Sequence, residues 1–266
     1  MNEESGFGEI VDEIKHSKQP EHPVRAILIV PHKGGRLIVA RDAFGSNNYL
    51  NNIRIMRRPY FHPNSWERIS FEPLTTDESL SAAVYEFSSR AKPHVFDPSC
   101  LQAGYVLRTG EGVWANPLDA QGMLVEDENV LKKRLKNCRK IGVRNGNHIY
   151  IGNGGFGFAE YGTFDLGKQS EEDFANGGLA RVLENTSEPV ATNLRAIADK
   201  SNYENGVRVM SFEPVKSSIL RVVSLCSGGG DFYCQLCVSG DYGENSRAAE
   251  CGGYAFGGLK TGEATR

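Results

Sequence analysis

From Cys226 to Gly258 the chain reads CSGGGDFYCQLCVSGDYGENSRAAECGGYAFGG. Small, polar and aromatic residues are mixed without a period, and four of the six cysteines fall here. A half-buried strand alternates apolar and polar residues, and an amphipathic helix carries an apolar stripe every 3.6 residues; this stretch does neither. Lys, Trp and Met are absent, and apart from Arg247 only Gln235, Glu244 and Glu250 bring long polar side chains. The composition predicts binding loops. Tyr and Phe supply large rigid contact area, while Ser, Gly and Asn supply adaptable hydrogen bonds. Loops of that kind need a rigid frame to present them, and the rest of the chain must provide it.

At 266 residues the chain is long enough to bury a sizeable core. Its formal net charge of −3 lacks the basic footprint of a nucleic-acid binder. Thirty glycines point to many turns. No apolar run approaches the roughly 20 residues that span a bilayer. The start, MNEESGFGEIVDEIKHSKQPEHP, is acidic and polar, unlike the basic start and apolar stretch of a secretory signal. The expected location is therefore cytoplasmic or virion-associated. Six cysteines in so long a chain do not make a disulfide-stapled scaffold. Cys100 and Cys138 stand alone in regular segments and read as buried thiols.

Along the chain, residues 1–22 read as a flexible leader with one short helix around Ile10 to Ile14. Residues 24–30 and 36–42 read as a β-hairpin whose Gly34-Gly35 takes positive φ. NNIRIMRRPYFHPNSWERISF, broken by Pro59 and Pro63, reads as strand and loop. A helix follows, capped by Thr76 or Asp77, with Leu80, Ala83, Val84 and Phe87 on one stripe. Residues 101–117 read as a second hairpin, and 125–138 as a helix with acids first and bases last, matching its dipole. Helices are expected over 170–186 and 189–200, and strands over 206–212 and 217–225. Hairpins and helices lie in separate clusters, which predicts an α+β protein rather than a doubly wound parallel sheet. The expected divisions are the leader, an N-terminal α+β subdomain over 23–97, and a ligand-binding domain over 98–266.

Several motifs bear on chemistry. Gly152-Asn-Gly154-Gly-Phe-Gly157 fits G-x-G-x-x-G after the strand HIYI. A dinucleotide site needs a helix to start at once so that its N-terminus faces the pyrophosphate. Here Phe158 to Gly162 make a poor first turn, and a glycine-rich turn between strands, packed by Phe156 and Phe158, fits better. TTDESLSAAVYEF, after the first hairpin, is similar in placement to the Nudix diphosphohydrolase box, which holds divalent metal on carboxylates of one helix face. Only Glu86 is suitably placed. Tyr85 replaces the arginine, and Ser89 and Arg90 stand where the second acidic pair belongs. Cys234-x2-Cys237 has one zinc-knuckle spacing, but Cys226 and Cys251 supply neither a second knuckle nor histidine partners. The six histidines are scattered, and none lies in a recognisable nucleophile motif. The basic residues Arg54, Arg57 and Arg58, like the run Lys132 to Lys136, read as solvated faces.

The stretch Leu220-Arg-Val-Val-Ser-Leu225, then the aperiodic segment, then Gly253-Tyr-Ala-Phe-Gly257, resembles the C-terminus of the variable proteins of diversity-generating retroelements. In that family a strand leads into a diversified segment that a constant glycine-aromatic strand closes. Adenine-targeted rewriting of AAC or AAT codons leaves no Lys, Met, Trp, Gln or Glu. Between Cys226 and Gly257 only Gln235, Glu244 and Glu250 fall outside the permitted set, and the resemblance makes them constant positions. It also implies a C-type-lectin-like frame of small antiparallel sheets and two helices, here the helices at 170–200 with the strands at 206–225. The implied function is non-catalytic binding of a protein or other macromolecular target, with no cofactor and no metal. The diversified segment would span about 226–253, with Cys226, Gly228, Gly230, Phe232, Tyr233, Cys234, Cys237, Ser239, Asp241, Tyr242, Ser246 and Cys251 as variable contact residues. An enzyme, a hydrolase or nucleotide-handling protein using the loop 152–157, is the alternative; it requires a pocket beside that loop with a perturbed carboxylate or histidine. A zinc-stabilised interaction module is the other.

Overall fold

The structure, a computed structural model, describes residues 24–47, 49–89, 100–200, 206–227, 236–242 and 253–259. The expected leader and its short helix lie outside these residues. The first hairpin joins β1 (Ile27–His32) to β2 (Gly35–Ala40), from Ile27 opposite Ala40 to His32 opposite Gly35. Its turn falls one residue earlier than the glycine pair predicts. Lys33 and Gly34 take φ of 46° and 75°, the two positive values a tight hairpin turn requires. A short strand, β3 (Phe44–Asn47), leads to a helix, α1 (Tyr49–Met56), where the sequence predicts strand and loop. Tyr49, Asn52, Ile53 and Met56 are buried at helical spacing, and that stripe outweighs the prolines, which lie beyond the helix end. Next come β4 (Tyr60–Phe61), β5 (Arg68–Ile69), β6 (Phe71–Pro73) and the long helix α2 (Thr76–Ser89). The N–H of Thr75, the residue before α2, donates to Glu78 at 2.9 Å, half of a capping box. Thr76, a predicted cap, instead gives its N–H and hydroxyl to Asn116 Oδ1, each at 3.0 Å.

The predicted second hairpin forms as β7 (Leu101–Arg108) and β8 (Gly112–Ala115). The helix expected over 125–138 is shorter: α3 (Glu128–Arg134), capped by Asp127, followed by a single 3-10 turn. Strands β9 (Arg139–Arg144), β10 (Asn147–Ile151), β11 (Gly157–Glu160) and β12 (Gly167–Gln169) follow. The helix expected over 170–186 splits in two, α4 (Glu171–Asn176) and α5 (Gly178–Leu183). Gly177 between them is extended, at φ −67° and ψ 148°, and turns its N–H back to the Phe174 carbonyl. The last helix is α6 (Thr192–Lys200). The chain ends in β13 (Val207–Met210), β14 (Ile219–Ser227), β15 (Leu236–Tyr242), β16 (Gly253–Ala255) and β17 (Gly257–Leu259).

The largest sheet runs in the order β12-β13-β15-β14-β7-β8-β11-β10-β9. Pairing is antiparallel except between β13 and β15 and at the single β16–β7 pair. The protein is thus mixed α and β, built mainly on antiparallel strands. Strand β7 is buried almost throughout because both faces of the sheet are covered. Leu101 and Ala103 join the core under the helices, with Phe174, Leu179, Leu194 and Phe212, whereas Leu107 joins Trp114, Leu131, Phe156 and Phe158 on a second core. The last described strands pair back with the first ones. β16 pairs with β3 and β7, and β17 sits between β2 and β6. Strands from the two expected subdomains therefore share sheets. Asn52 of α1 pins this closure from inside, donating to Gln102 at 2.7 Å and to the Gly253 carbonyl at 2.9 Å.

Candidate functional site

The C-terminal segment behaves differently in its parts. Leu236–Tyr242, read from sequence as loop, is a strand enclosed between β13 and β14, and residues Leu236 to Gly240 are all buried. The expectation of a surface position is therefore corrected for Cys237 and Ser239, each only 3% exposed. Cys226 is half-buried and stands opposite Cys237 across β14 and β15. Leu225 pairs with Leu101, which brings Cys100 beside Cys226. A hydrogen bond with Cys100 pushes the Cys226 thiol well above the usual range, and burial and the neighbouring thiols push it further. Burial also raises Cys237, partly offset by Arg208. These are core thiols. Asp241 and Tyr242 end β15, paired at Tyr242 with Val222. Gly228, Gly230, Phe232, Tyr233, Cys234, Ser246 and Cys251 lie outside the described residues. Among those that are described, no group of His, Cys, Asp and Glu is arranged to hold a metal ion.

What the frame does fix is the anchorage of the two intervening segments, 228–235 and 243–252. The first leaves from Ser227 and returns at Leu236, and these two residues are paired. The second leaves from Tyr242, opposite Val222, and returns at Gly253, where Tyr254 pairs with Leu101 and its N–H donates to the Cys100 carbonyl at 2.9 Å. Gly253 leaves no room for a side chain, since a Cβ there would lie 2.5 Å from the Gln102 amide. Gly257 is equally crowded by Phe44, Phe71 and Met56.

The loop Gly152–Gly157 is a turn between β10 and β11, with no helix after it. Phe156 and Phe158 pack on Trp114, the latter with ring centroids 4.2 Å apart. That arrangement excludes the helix N-terminus a pyrophosphate would need. The loop has another neighbour. Asn116 donates to the Gly155 carbonyl at 2.8 Å, and a Cβ on Gly155 would lie 2.6 Å from Asp77 Oδ1. The glycine loop thus supports the first turn of α2.

Beside that turn lies a cleft of about 690 Å³, enclosed by the β1–β2 turn, the start of α2 and the α5–α6 connection. Among the described residues that line it, Pro31 is the only apolar side chain; the others include His32, Lys33, Asp77, Ser81, Glu184, Asn185, Thr192 and Asn193. The hairpin turn carries His32 over α2, where Nδ1 lies 2.9 Å from Ser81 Oγ and Nε2 lies 3.6 Å from Asp77 Oδ2. Asp77, 3% exposed, also accepts from Lys33 Nζ at 2.6 Å, so its charge is balanced. Asp77 and Ser81 are four apart on α2 and therefore share a face. Asn193 Nδ2 reaches Ser81 Oγ at 3.4 Å. Glu184 is buried at the end of α5 and caps α6, accepting from Thr192 Oγ1, Asn193 N and Leu194 N at 3.1, 2.9 and 3.2 Å. Burial raises its carboxyl above the ordinary value, against the lowering effect of those donors. The sequence singles out none of these side chains as functional except through the cap at Asp77. His32 and Ser81 are 49 residues apart, and no spacing rule links a hairpin turn to a helix face.

No family model, no curated protein and no solved structure matches the chain.

Proposed function

We propose that this is a ligand-binding protein that uses the segments 228–235 and 243–252 as its contact surface, on a C-type-lectin-like frame, with a diversity-generating retroelement as the source of their sequence. The observation that supports it is the contrast along the C-terminus. Core residues of β14, β15 and β16 lock the ends of both segments in register, while the segments themselves hold the aperiodic Gly, Ser, Asp and aromatic residues typical of a paratope. The contact set is accordingly narrower than the sequence implies. Gly228, Gly230, Phe232, Tyr233, Cys234, Ser246 and Cys251 remain in it, whereas Cys226, Cys237 and Ser239 belong to the frame. The ligand is a macromolecule, a protein, recognised by Phe232 and Tyr233 as rigid anchors. No chemistry is assigned to this surface.

Two measurements test this. A nearby second copy of the coding segment for 226–257, carrying adenine wherever the two differ and lying beside a reverse transcriptase gene, is the expected finding; differences spread over all four bases overturn the retroelement origin. Alanine at Phe232, Tyr233 and Ser246 together should leave Tm within about 2 °C of the parent, as substitutions away from a core do. A loss of folding would place these residues in the core and end the binding reading.

A further inference from the structure

We infer that the cleft between the first hairpin and α2 is a nucleophilic site for acyl transfer, with Ser81 as nucleophile and His32 as its base. This is independent of the C-terminal surface. The geometry is that of a serine relay: Oγ at 2.9 Å from one imidazole nitrogen, and a buried carboxylate at 3.6 Å from the other. With the Asp77 carboxylate facing Nε2, the ring proton sits on Nε2 and leaves Nδ1 as the acceptor toward Ser81. The ring is turned relative to the usual triad, in which Nε2 meets the serine. The relay is legible by roles and distances rather than by order in the chain. At rest the hydroxyl is also 3.1 Å from the Asp77 carbonyl, one turn back on α2, so its proton is shared between that oxygen and His32.

The reaction follows from these contacts. Ser81 Oγ bonds to the acyl carbon of an ester as its proton passes to His32 Nδ1. The carbonyl electron pair moves onto oxygen, where Asn193 Nδ2, 3.4 Å from Oγ, is the adjacent amide donor. Collapse breaks the bond to the alcohol oxygen, which takes the proton from His32. Water then adds to the acyl carbon, giving a proton to Nδ1, and the acid departs as Ser81 recovers its hydrogen. The lining selects the substrate class. Asn185, Thr186, Ser187 and Thr192 offer hydroxyl and amide groups, Pro31 is the one apolar wall, and Lys33 is neutralised by Asp77. The site therefore fits esters of small hydrophilic alcohols rather than lipid esters.

A fluorophosphonate probe and p-nitrophenyl acetate test the proposal on the full chain. The expected result is a single covalent adduct that maps by mass spectrometry to Ser81, with ester hydrolysis that S81A abolishes. His32→Ala should slow hydrolysis by about 100-fold, and added imidazole should restore part of it, which a purely structural role for His32 would not allow. No adduct on the folded wild-type protein, an adduct confined to other serines, or hydrolysis unchanged in S81A would each overturn it. Because labelling is read on the wild-type chain, misfolding of a variant does not blunt the test.

Discussion

Two glycine-rich segments, 152–157 and 226–258, look alike in sequence, and the structure treats them differently. In the first, Gly152, Gly155 and Gly157 serve packing, while Gly154 faces open space. Gly155 has φ of +74° and abuts Asp77, Asn116 and Thr75, so the loop is a fixed support for α2. In the second, the glycines divide. Gly240, Gly253, Gly257 and Gly258 lie against other side chains of the fold, and Gly228, Gly229, Gly230, Gly243 and Gly252 fall in the intervening segments. A high glycine count is thus compatible with close backbone approach as well as with adaptable loops, and only the neighbours of each Cα tell them apart.

The largest expected effect separates two adjacent glycines of the first segment. Gly155→Ala should cost about 3 kcal/mol, adding left-handed backbone strain to a clash with groups that cannot give way. Asp77 is held by Lys33, and Asn116 by the Thr76 N–H. Gly154→Ala should cost only about 1 kcal/mol, since its φ is +63° but nothing lies within 4 Å of the new carbon. Equal midpoints in urea for the two variants would break the distinction. In the second segment, Gly257→Ala meets Phe44 at 2.8 Å and Phe71 at 3.0 Å. A cost of about 2 kcal/mol is expected there. If it is tolerated without loss, β17 does not hold the C-terminus as described.

A smaller effect concerns Glu184. Burial raises its carboxyl, so the folded state holds that proton more tightly than the unfolded state. Its ionisation therefore opposes folding, and its contribution to stability falls as pH rises from the ordinary value of 4.5 through the raised one. Glu184→Gln keeps an acceptor for α6 without the charge. The variant should gain on wild type as pH rises from about 4 to about 7, and an unchanged difference across that range would contradict the burial argument. The smallest effect is kinetic. Cys100, Cys226 and Cys237 should resist iodoacetamide in the native state at neutral pH and react on unfolding, because burial and, for Cys226 and Cys237, raised pKa values suppress the thiolate. Rapid native alkylation of Cys237 would return it to the surface.

Much of the architecture is legible in the sequence. Both hairpins, the long helix from Thr76 and the strands around 207 and 219 occur where alternation, β-branching and capping place them. The failures have local causes. The α1 helix was hidden by Pro59 and Pro63, which act only beyond its end, and its stripe is just two turns long. The single helix expected over 170–186 breaks at Gly177 because Gly178 must approach Thr163 so closely that a Cβ would lie 2.2 Å from its hydroxyl. Strand β15 was hidden because Leu236, Cys237, Val238, Ser239 and Gly240 are a short, small-residue run, and nothing in their order shows that β13 and β14 enclose them. The cleft was hidden most completely, since its residues come from a hairpin turn, a helix start and a helix connection spread along the chain from Pro31 to Asn193.

By itself, then, the sequence determined the elements whose signal is local: hairpins, caps, amphipathic stripes and the paratope-like composition of the C-terminus. Tertiary structure alone decided that Cys237 sits in the core, which glycines admit no side chain, and that His32, Asp77 and Ser81 meet in one cleft. The reason is physical. Local propensity acts over a few residues, whereas burial and side-chain proximity are set by which distant strands pair, and a one-residue slip of β15 would move Cys237 and Ser239 to the opposite face of the sheet.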